Sequence, residues 1–417
     1  MMTRKAILIP PLAFILRIVL FNIPTIADTL ATRVEVVTPI TSFKRLTEGL
    51  YLYENSVPPY DNGIFHQAPF LLVLFSALTS LSPLAIPIVY AGVDTFIGYA
   101  LVVITQMKQK NYANAPKLEV EKEMAPIDPW TVAALYLFNP LTILSCVSKS
   151  TLIFTNLSVV LSVALALKGD AIYSMFWVAI ASYLSFYPAM LMPALVLIIS
   201  KWTPSNNSTL VKQARASTFY FVAWLALFLI SSRILVGSWD YLYSTYGTIL
   251  CLTDLTPNVG MFWYFFIEMF DQFRNFFLVV FQLHAFIFVA PLCIKIREHP
   301  VFVIIVLSGM MSILKSYPSV GDAALFLGLL PVHDELFKYA RYGFLVTNLY
   351  LYSAALAPIF WHLWIYAGSG NANFFYAITL VYNLGQVLLL IDLVYAVLRR
   401  SYDIANPHTI GKEVVHK

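Results

Sequence analysis

The chain has 417 residues, 59% hydrophobic and 12% charged, with a mean hydropathy of +0.75 and a formal net charge of +4. Soluble domains carry about 25% charged residues, so half that share at this hydropathy excludes a soluble protein and indicates a polytopic membrane one. The small net charge and the lack of basic runs interleaved with aromatics exclude a nucleic-acid binder.

Arg4 and Lys5 precede an apolar run from Ala6 to Phe21. Pro10, Pro11 and Arg17 interrupt it and no small-x-small cleavage site follows, so it reads as a retained first span with its start in the cytosol, not a secretory signal. Residues 22–65 are polar. Within them Thr41 and Ser42 precede a stretch, 43–53, with Phe43, Leu46, Leu50 and Tyr53 at helical spacing, as for a helix lying in the membrane plane. Pro58 to Gly63 is a turn-rich break. The apolar run 67–82 is short against the roughly 20 residues a span needs. Counting it as a span would also place the basic loop 108–128 (Lys108, Lys110, Lys117, Lys122) opposite the N-terminus, against the positive-inside rule. It is expected to be interfacial or re-entrant, with 84–107 as the second span. Further spans are expected at 130–147, 151–167, 171–186, 188–200, 217–236, 275–295, 301–314, 322–336, 342–366 and 374–398. The expectation is an all-α helical bundle of about twelve transmembrane helices, both termini cytosolic. It forms one transmembrane domain, 1–400, followed by a cytosolic tail, 401–417. This arrangement puts 18 of the 26 lysines and arginines on the cytosolic side and 7 on the other, with Arg17 inside a span.

The segments rich in glycine, proline, asparagine and aromatics then gather on the lumenal side: 22–83, 148–150, 186–188, 237–274, 315–322 and 367–373. Function is expected to face the lumen. In 255–272 a turn, Thr256-Pro257-Asn258, leads into Phe262, Trp263, Tyr264, Phe265 and Phe266, then Glu268 and Asp271. Trp and Tyr settle at headgroup depth, apolar body down and polar tip in water. Asp271 is expected to pair with Arg274 at i, i+3, which leaves Glu268 as the candidate for a lipid site. Lys149 and Lys315 end spans on the same face and have two readings, a ligand site or snorkelling to headgroups. Asn371 and Asn373, followed by Phe374, Phe375 and Tyr376, suit a headgroup above an aromatic shelf. Asn373 is equally placed to N-cap the last span, and both roles hold together because a helix N-terminus also attracts phosphate.

Catalytic patterns are sparse. Cys146, Cys251 and Cys293 lie far apart without C-x-x-C spacing and are expected to be buried apolar residues. None of the seven histidines pairs at i, i+4 and no G-x-S-x-G occurs, so neither a metal site nor a serine nucleophile is expected. Glycosyl transfer is the strongest enzymatic candidate. The order of first span, loop, Pro59-Tyr60-Asp61 and His66-Gln67-Ala68-Pro69 matches lumenal lipid-linked glycosyltransferases. Where those enzymes have a D-x-D-type motif, this chain reads Arg33-Val34-Glu35-Val36. Glu35 is either a lone base or, the favoured reading, the salt-bridge partner of Arg33 or Lys44.

The run from Thr256 to Phe270, TPNVGMFWYFFIEMF, resembles the signature of the PIG-U family, a subunit of the GPI transamidase complex. Arg33 to Pro39, Asn139 to Cys146, Lys315 to Pro318 and Trp361 to Ser369 agree, and the similarity extends from about residue 14 to 400. It implies a multi-pass endoplasmic-reticulum protein with a fold like the GT-C mannosyltransferases. The catalytic cysteine and histidine would lie in a separate caspase-like subunit, and the chain itself would be no enzyme and need no cofactor. Its expected role is to bind or orient the GPI lipid, with Phe262, Trp263, Tyr264, Phe265, Phe266, Glu268, Asn371, Asn373, Phe374 and Tyr376 as lipid contacts and Lys315 for a phosphate. Two other readings stand beside it: an active mannosyltransferase using dolichol-phosphate-mannose with Glu35 or Asp61 as base, and a purely structural subunit. The topology also makes a prediction. The overlapping sequons at Asn206 and Asn207 fall in a cytosolic loop, so glycosidase treatment is expected to leave the chain's mobility unchanged; a glycan there would reverse the topology.

Overall fold

Capping chemistry sets where the helices begin. The computed structural model describes residues 4–410 apart from 62, 83, 114–124 and 203–209, together with 412. Lys117, Lys122, both sequons at 206–209 and Lys417 lie outside the described residues. Helix α1 (Arg4–Phe21) continues through Pro10 and Pro11, then turns by 90° into α2 (Pro24–Leu30). Helix α3 (Phe43–Glu54) starts at Ser42, whose hydroxyl accepts from the Arg45 amide. After α4 (Pro69–Leu81) and α5 (Ala85–Asn111), Asp128 and Asn139, each followed by proline, cap α6 (Pro129–Leu137) and α7 (Pro140–Val147). The expected single span 130–147 is therefore a pair bent by 54°, because a proline behind a capping asparagine ends one hydrogen-bond ladder and begins another. Helices α8 (Leu152–Leu167) and α9 (Ala171–Ser185) lead through a 3-10 turn to α10 (Met192–Trp202) and α11 (Leu210–Val236). A helical stretch, 240–251, contains a π turn at Tyr243–Gly247. Then come α12 (Phe262–Glu268), α13 (Asp271–Ile287), α14 (Val289–Lys295), α15 (Pro300–Leu314), α16 (Val320–Leu329), α17 (Gly343–Ile365) and α18 (Ala372–Ala405).

Among the described residues all regular structure is helical. Among them, five segments are long and apolar enough to cross a membrane: α5, α11, α13 with α14, α17 and α18. The number is seven if each bent pair, α1–α2 and α6–α7, counts as one. The expected spans at 151–167, 171–186, 188–200 and 301–314 fall on apolar helices of 10–17 residues. The expected span 322–336 becomes α16 and a 3-10 stretch, Leu330–Tyr339, with Pro331 in its first turn. Helix is the one open-chain structure that satisfies its own backbone in lipid, and this chain is a helical membrane protein.

Helix α15 is the axis of the bundle. Every residue from Pro300 to Ile313 is buried, as expected for a helix apolar on all sides. At Gly309 an added Cβ would meet Leu390 at 2.8 Å and Phe326 at 2.9 Å, so glycine permits the close approach of α18 and α16. Helices α11, α13–α14 and α17 are peripheral and mostly uncovered by the rest of the chain.

Inside this apolar bundle the charges are paired. Arg17 on α1 is fully buried and forms an ion pair with Asp94 on α5, with Nε at 2.5 Å from Oδ2. Tyr136 on α6 donates to the other carboxylate oxygen at 2.9 Å, and the guanidinium also donates to the carbonyls of Ala13 and Leu137 at 3.0 Å. Removing one partner of such a pair leaves an uncompensated charge and costs about 3–5 kcal/mol, whereas replacing both with apolar groups is often neutral. Asp94→Leu is therefore expected to destabilise the protein by about 3–5 kcal/mol. Arg17→Met combined with Asp94→Leu is expected to recover most of that loss, as read by thermal unfolding in detergent.

Candidate functional site

The segments expected on the lumenal face meet at one end of the bundle. The Thr151 amide donates to the Thr41 carbonyl at 3.0 Å, and the Thr151 hydroxyl to Gln67 Oε1 at 3.0 Å. Tyr90 donates to the Lys149 carbonyl at 2.7 Å, and Val320 N to the Glu35 carbonyl at 3.0 Å. Arg45 pairs with Asp254 at 2.6 Å. At the opposite end, segments expected in the cytosol are likewise joined, by Lys108 to Glu335 at 2.7 Å and by Lys201 to the Glu298 carbonyl at 2.7 Å.

The turn before α12 is built by side chains. Asp254 Oδ1 accepts from the Thr256 amide at 2.9 Å and its hydroxyl at 2.5 Å. Burial raises the Asp254 pKa, but these bonds and the Arg45 charge outweigh it and hold the carboxyl below its usual range. Asn258 is fully buried, and its Oδ1 accepts from Gly260 N at 2.8 Å. A Cβ on Gly260 would lie 2.7 Å from the Pro318 ring, so only glycine lets the turn rest against the 315–318 loop. Helix α18 clamps the turn from the other side: Asn383 donates to the Val259 carbonyl at 2.7 Å and Tyr376 to that of Met261 at 3.1 Å.

Helix α12 is thereby fixed, and its aromatic run divides by face. Phe262, Trp263 and Phe266 are buried, while Tyr264 and Phe265 are half-buried. Phe262 and Phe265 pack on Phe281 of α13, with centroids 4.7 and 4.9 Å apart. Trp263 sits among Trp364, Phe375 and Tyr376, 5.7–6.3 Å away; its indole N–H is buried without an acceptor, so ring packing alone offsets its burial. Tyr264 stacks on Tyr376 at 4.6 Å and donates to Asn373 Oδ1. What remains exposed beside this aromatic box is a polar row, Glu268, Asn371 and Asn373, with the ring of Phe374 next to it. The structure thus brings together ten of the eleven residues singled out from the sequence.

Lys315 stands apart. It is 2% exposed, and its amine lies 2.5 Å from Asp322 Oδ1. Asp322 in turn accepts from Ser319 N at 2.9 Å in a capping box that opens α16. The pair lines a mostly apolar cavity of about 20 Å³, with Asn156, Tyr187, Val159 and Met311. Lys149 is half-buried, with its amine 5.4 Å from the centre of the Phe43 ring.

Several local expectations change. Arg274 forms no ion pair with Asp271; its guanidinium donates to the Leu252 carbonyl at 2.9 Å and lies over Phe266, because the end of 240–251 offers unsatisfied carbonyls nearer than a solvated carboxylate. The N-cap of α18 is Asn371, whose side chain accepts from Asn373 N at 3.1 Å; this frees Asn373 Oδ1 for Tyr264. Cys251 is exposed, at the last turn of 240–251, whereas Cys146 and Cys293 are buried. Glu35 is bidentate to Arg33, at 2.5 and 3.0 Å, and 8% exposed. Sequence reasoning missed Asn383 and Trp364. A carboxamide inside an otherwise apolar helix was the available signal for the first, since such a group must find a partner.

These features define a helical membrane protein with a polar and aromatic ledge at one end. The family described as GPI transamidase subunit PIG-U matches residues 11–382. The chain is 38% identical over 425 residues to the human GPI-anchor transamidase component PIGU, covering 96% of this chain and 95% of that one. It is 38% identical over 387 residues to the Saccharomyces cerevisiae GPI transamidase component GAB1, covering 92% of each. With the Schizosaccharomyces pombe GAB1 homolog the identity is 34% over 375 residues, 89% of this chain and 88% of that one. The chain belongs to the PIG-U family.

One pH effect follows from the ledge's supports. His66 lies 2.9 Å from the Ser244 carbonyl, beside the π turn. Burial, then the Arg45 charge, lower its pKa against the opposing pull of that carbonyl and Asp254. Between the two pKa values the unfolded chain takes up the proton first. The stabilisation from neutral His66 is thus complete above about pH 6.5 and is lost as pH falls from there to the folded value. His66→Gln is expected to flatten the fall in thermal stability between pH 7.5 and 5; an equal fall in both proteins would contradict this.

Proposed function

We propose that this chain is a non-catalytic subunit of a GPI transamidase complex that binds or orients the GPI lipid for attachment to the C-terminus of precursor proteins. The complex sits in the endoplasmic-reticulum membrane. The chain crosses it about twelve times in a GT-C-like arrangement, with both termini cytosolic and the ledge in the lumen. A caspase-like partner supplies the nucleophile. Acyl chains lie between helices, and the glycan and headgroup rest against Glu268, Asn371, Asn373 and Phe374, with Tyr264 and Tyr376 beneath. Holding the lipid's terminal amine near an acyl intermediate removes orientational freedom from the reaction, which is a catalytic contribution without a catalytic group.

The observation that carries this reading is the rigid mounting of an exposed row of polar groups. Asn371, Asn373 and Glu268 are exposed on elements that a buried aromatic box and the Asn383 clamp hold fixed. Preorganised groups lose little freedom when a ligand binds. Other observations favour a non-catalytic role. Among the described residues no hydrogen bond joins a cysteine to a histidine, and Glu35, the candidate base, is bound by Arg33. Lys315 is committed to Asp322, so the reading does not depend on it.

A photoreactive GPI analogue added to the purified complex is expected to label 262–268 and 371–376. Loss of one hydrogen bond costs about 1 kcal/mol, or roughly fivefold. Asn371→Ala with Asn373→Ala is therefore expected to reduce both labelling and GPI attachment by at least that factor while the other subunits co-purify normally. Loss of co-purification with labelling intact would assign the ledge a structural role instead.

A further inference from the structure

The segment α13–α14, Asp271–Lys295, is the least covered of the long apolar helices. Only 6% of its apolar stretch is buried by the rest of the chain, against 56% for α5 and 50% for α18. Its outer stripe repeats at helical spacing, with Phe276, Val280, His284, Ile287 and Phe288 all exposed. An apolar stripe alone would suit lipid tails. His284 does not.

His284 lies roughly 20 Å along the helix from Asp271 and about 16 Å from Lys295, close to the middle of the span. Imidazole carries one donor and one acceptor when neutral, and hydrocarbon offers neither. The side chain is far too short to reach either interface. Among the described residues it has no hydrogen-bond partner; its ring contact is the edge of Phe288 at 5.4 Å. The other ionisable groups deep in the long helices are answered within the chain: Asp94 by Arg17 and Tyr136, and Asp392 by the amides of Arg341 and Tyr342 at 2.7 and 3.0 Å. Among the described residues, His284 contrasts with these two: no polar group of the chain meets its ring.

We infer that the His284 stripe of α13–α14 is a docking surface for a transmembrane helix of another subunit, one that presents a hydroxyl or carboxamide side chain to His284 at mid-membrane depth. This rests on the chain's assembling with other membrane subunits, as proposed above. The partner helix supplies the missing hydrogen bond and covers the flanking Phe276 and Ile287 by van der Waals packing, the two forces available for helix association in lipid.

The test uses the whole complex in native membranes. A photocrosslinking phenylalanine analogue replaces Ile287 or, as control, Leu227, an exposed residue of α11. The Ile287 position is expected to give an adduct with one transamidase subunit, identified by mass spectrometry and shifted by that subunit's tag, and the Leu227 position lipid adducts only. In parallel, His284→Leu is expected to lower recovery of that subunit in detergent about threefold, the typical worth of an interhelical hydrogen bond, while His284→Gln keeps it. Lipid adducts alone at Ile287, or wild-type recovery with His284→Leu, overturn the inference on an intact complex. If the wild-type chain co-purifies with no transamidase subunit, the assignment to a complex fails first and this inference falls with it.

Discussion

The bundle is arranged around the cost of leaving a charge or a carboxamide unpaired in its interior. Arg17 and Asp94 show this at its most demanding. Each would be prohibitively costly alone in an apolar interior, and together they tie α1 to α5, with Tyr136 adding α6. The same rule, applied with weaker groups, locates α18. Gln386 accepts from Ser312 of α15 at 2.6 Å, and Asn383 reaches the Val259 carbonyl. Apolar packing decides that helices gather; these directional contacts decide which helix lies beside which, and at what depth.

From that framework the ledge follows. Asn383 and Tyr376 on α18 grip the turn at Val259 and Met261, and the Asp254–Arg45 pair grips its other side. Helix α12 has only seven residues and could not persist alone. Held at both ends, it turns its largest side chain, Trp263, into the box formed with Trp364 and Phe375. Its polar remainder lies beside the N-terminus of α18. The aromatic run that looked like a membrane-surface anchor is mostly the inner wall that fixes the ledge, and the proposed ligand contacts belong to its edge.

Much of this was legible in the sequence, for identifiable reasons. Hydropathy and charge placement grouped the polar segments correctly enough that Thr41, Lys149, Asp254, Pro318 and Asn373 meet at one end. Hydropathy placed the start of α6 within one residue of Pro129. A salt bridge from Glu35 to Arg33 or Lys44 was the favoured reading, and the structure selects Arg33. What could not be read were choices among long-range partners. Lys315 had a carboxylate seven residues away, and Arg274 had one three residues away; the first pairs with it and the second does not. That difference is set by the backbone: Ser319 caps α16 and holds Asp322 towards Lys315, while the carbonyls of 251 and 252 intercept Arg274. The bend at Asn139-Pro140 and the early cap at Asn371 had the same origin, a local hydrogen bond overriding hydropathy.

The proposed role of the ledge is to hold the lipid headgroup and glycan at the edge of the aromatic box. The most direct measurement is a cryo-EM map of the assembled complex with GPI lipid bound. Ligand density is expected within hydrogen-bonding distance of Asn371, Asn373 and Glu268, with Tyr264 and Tyr376 unmoved from the stacked arrangement. Density for another subunit's polypeptide covering those residues, with the lipid bound elsewhere, would contradict it.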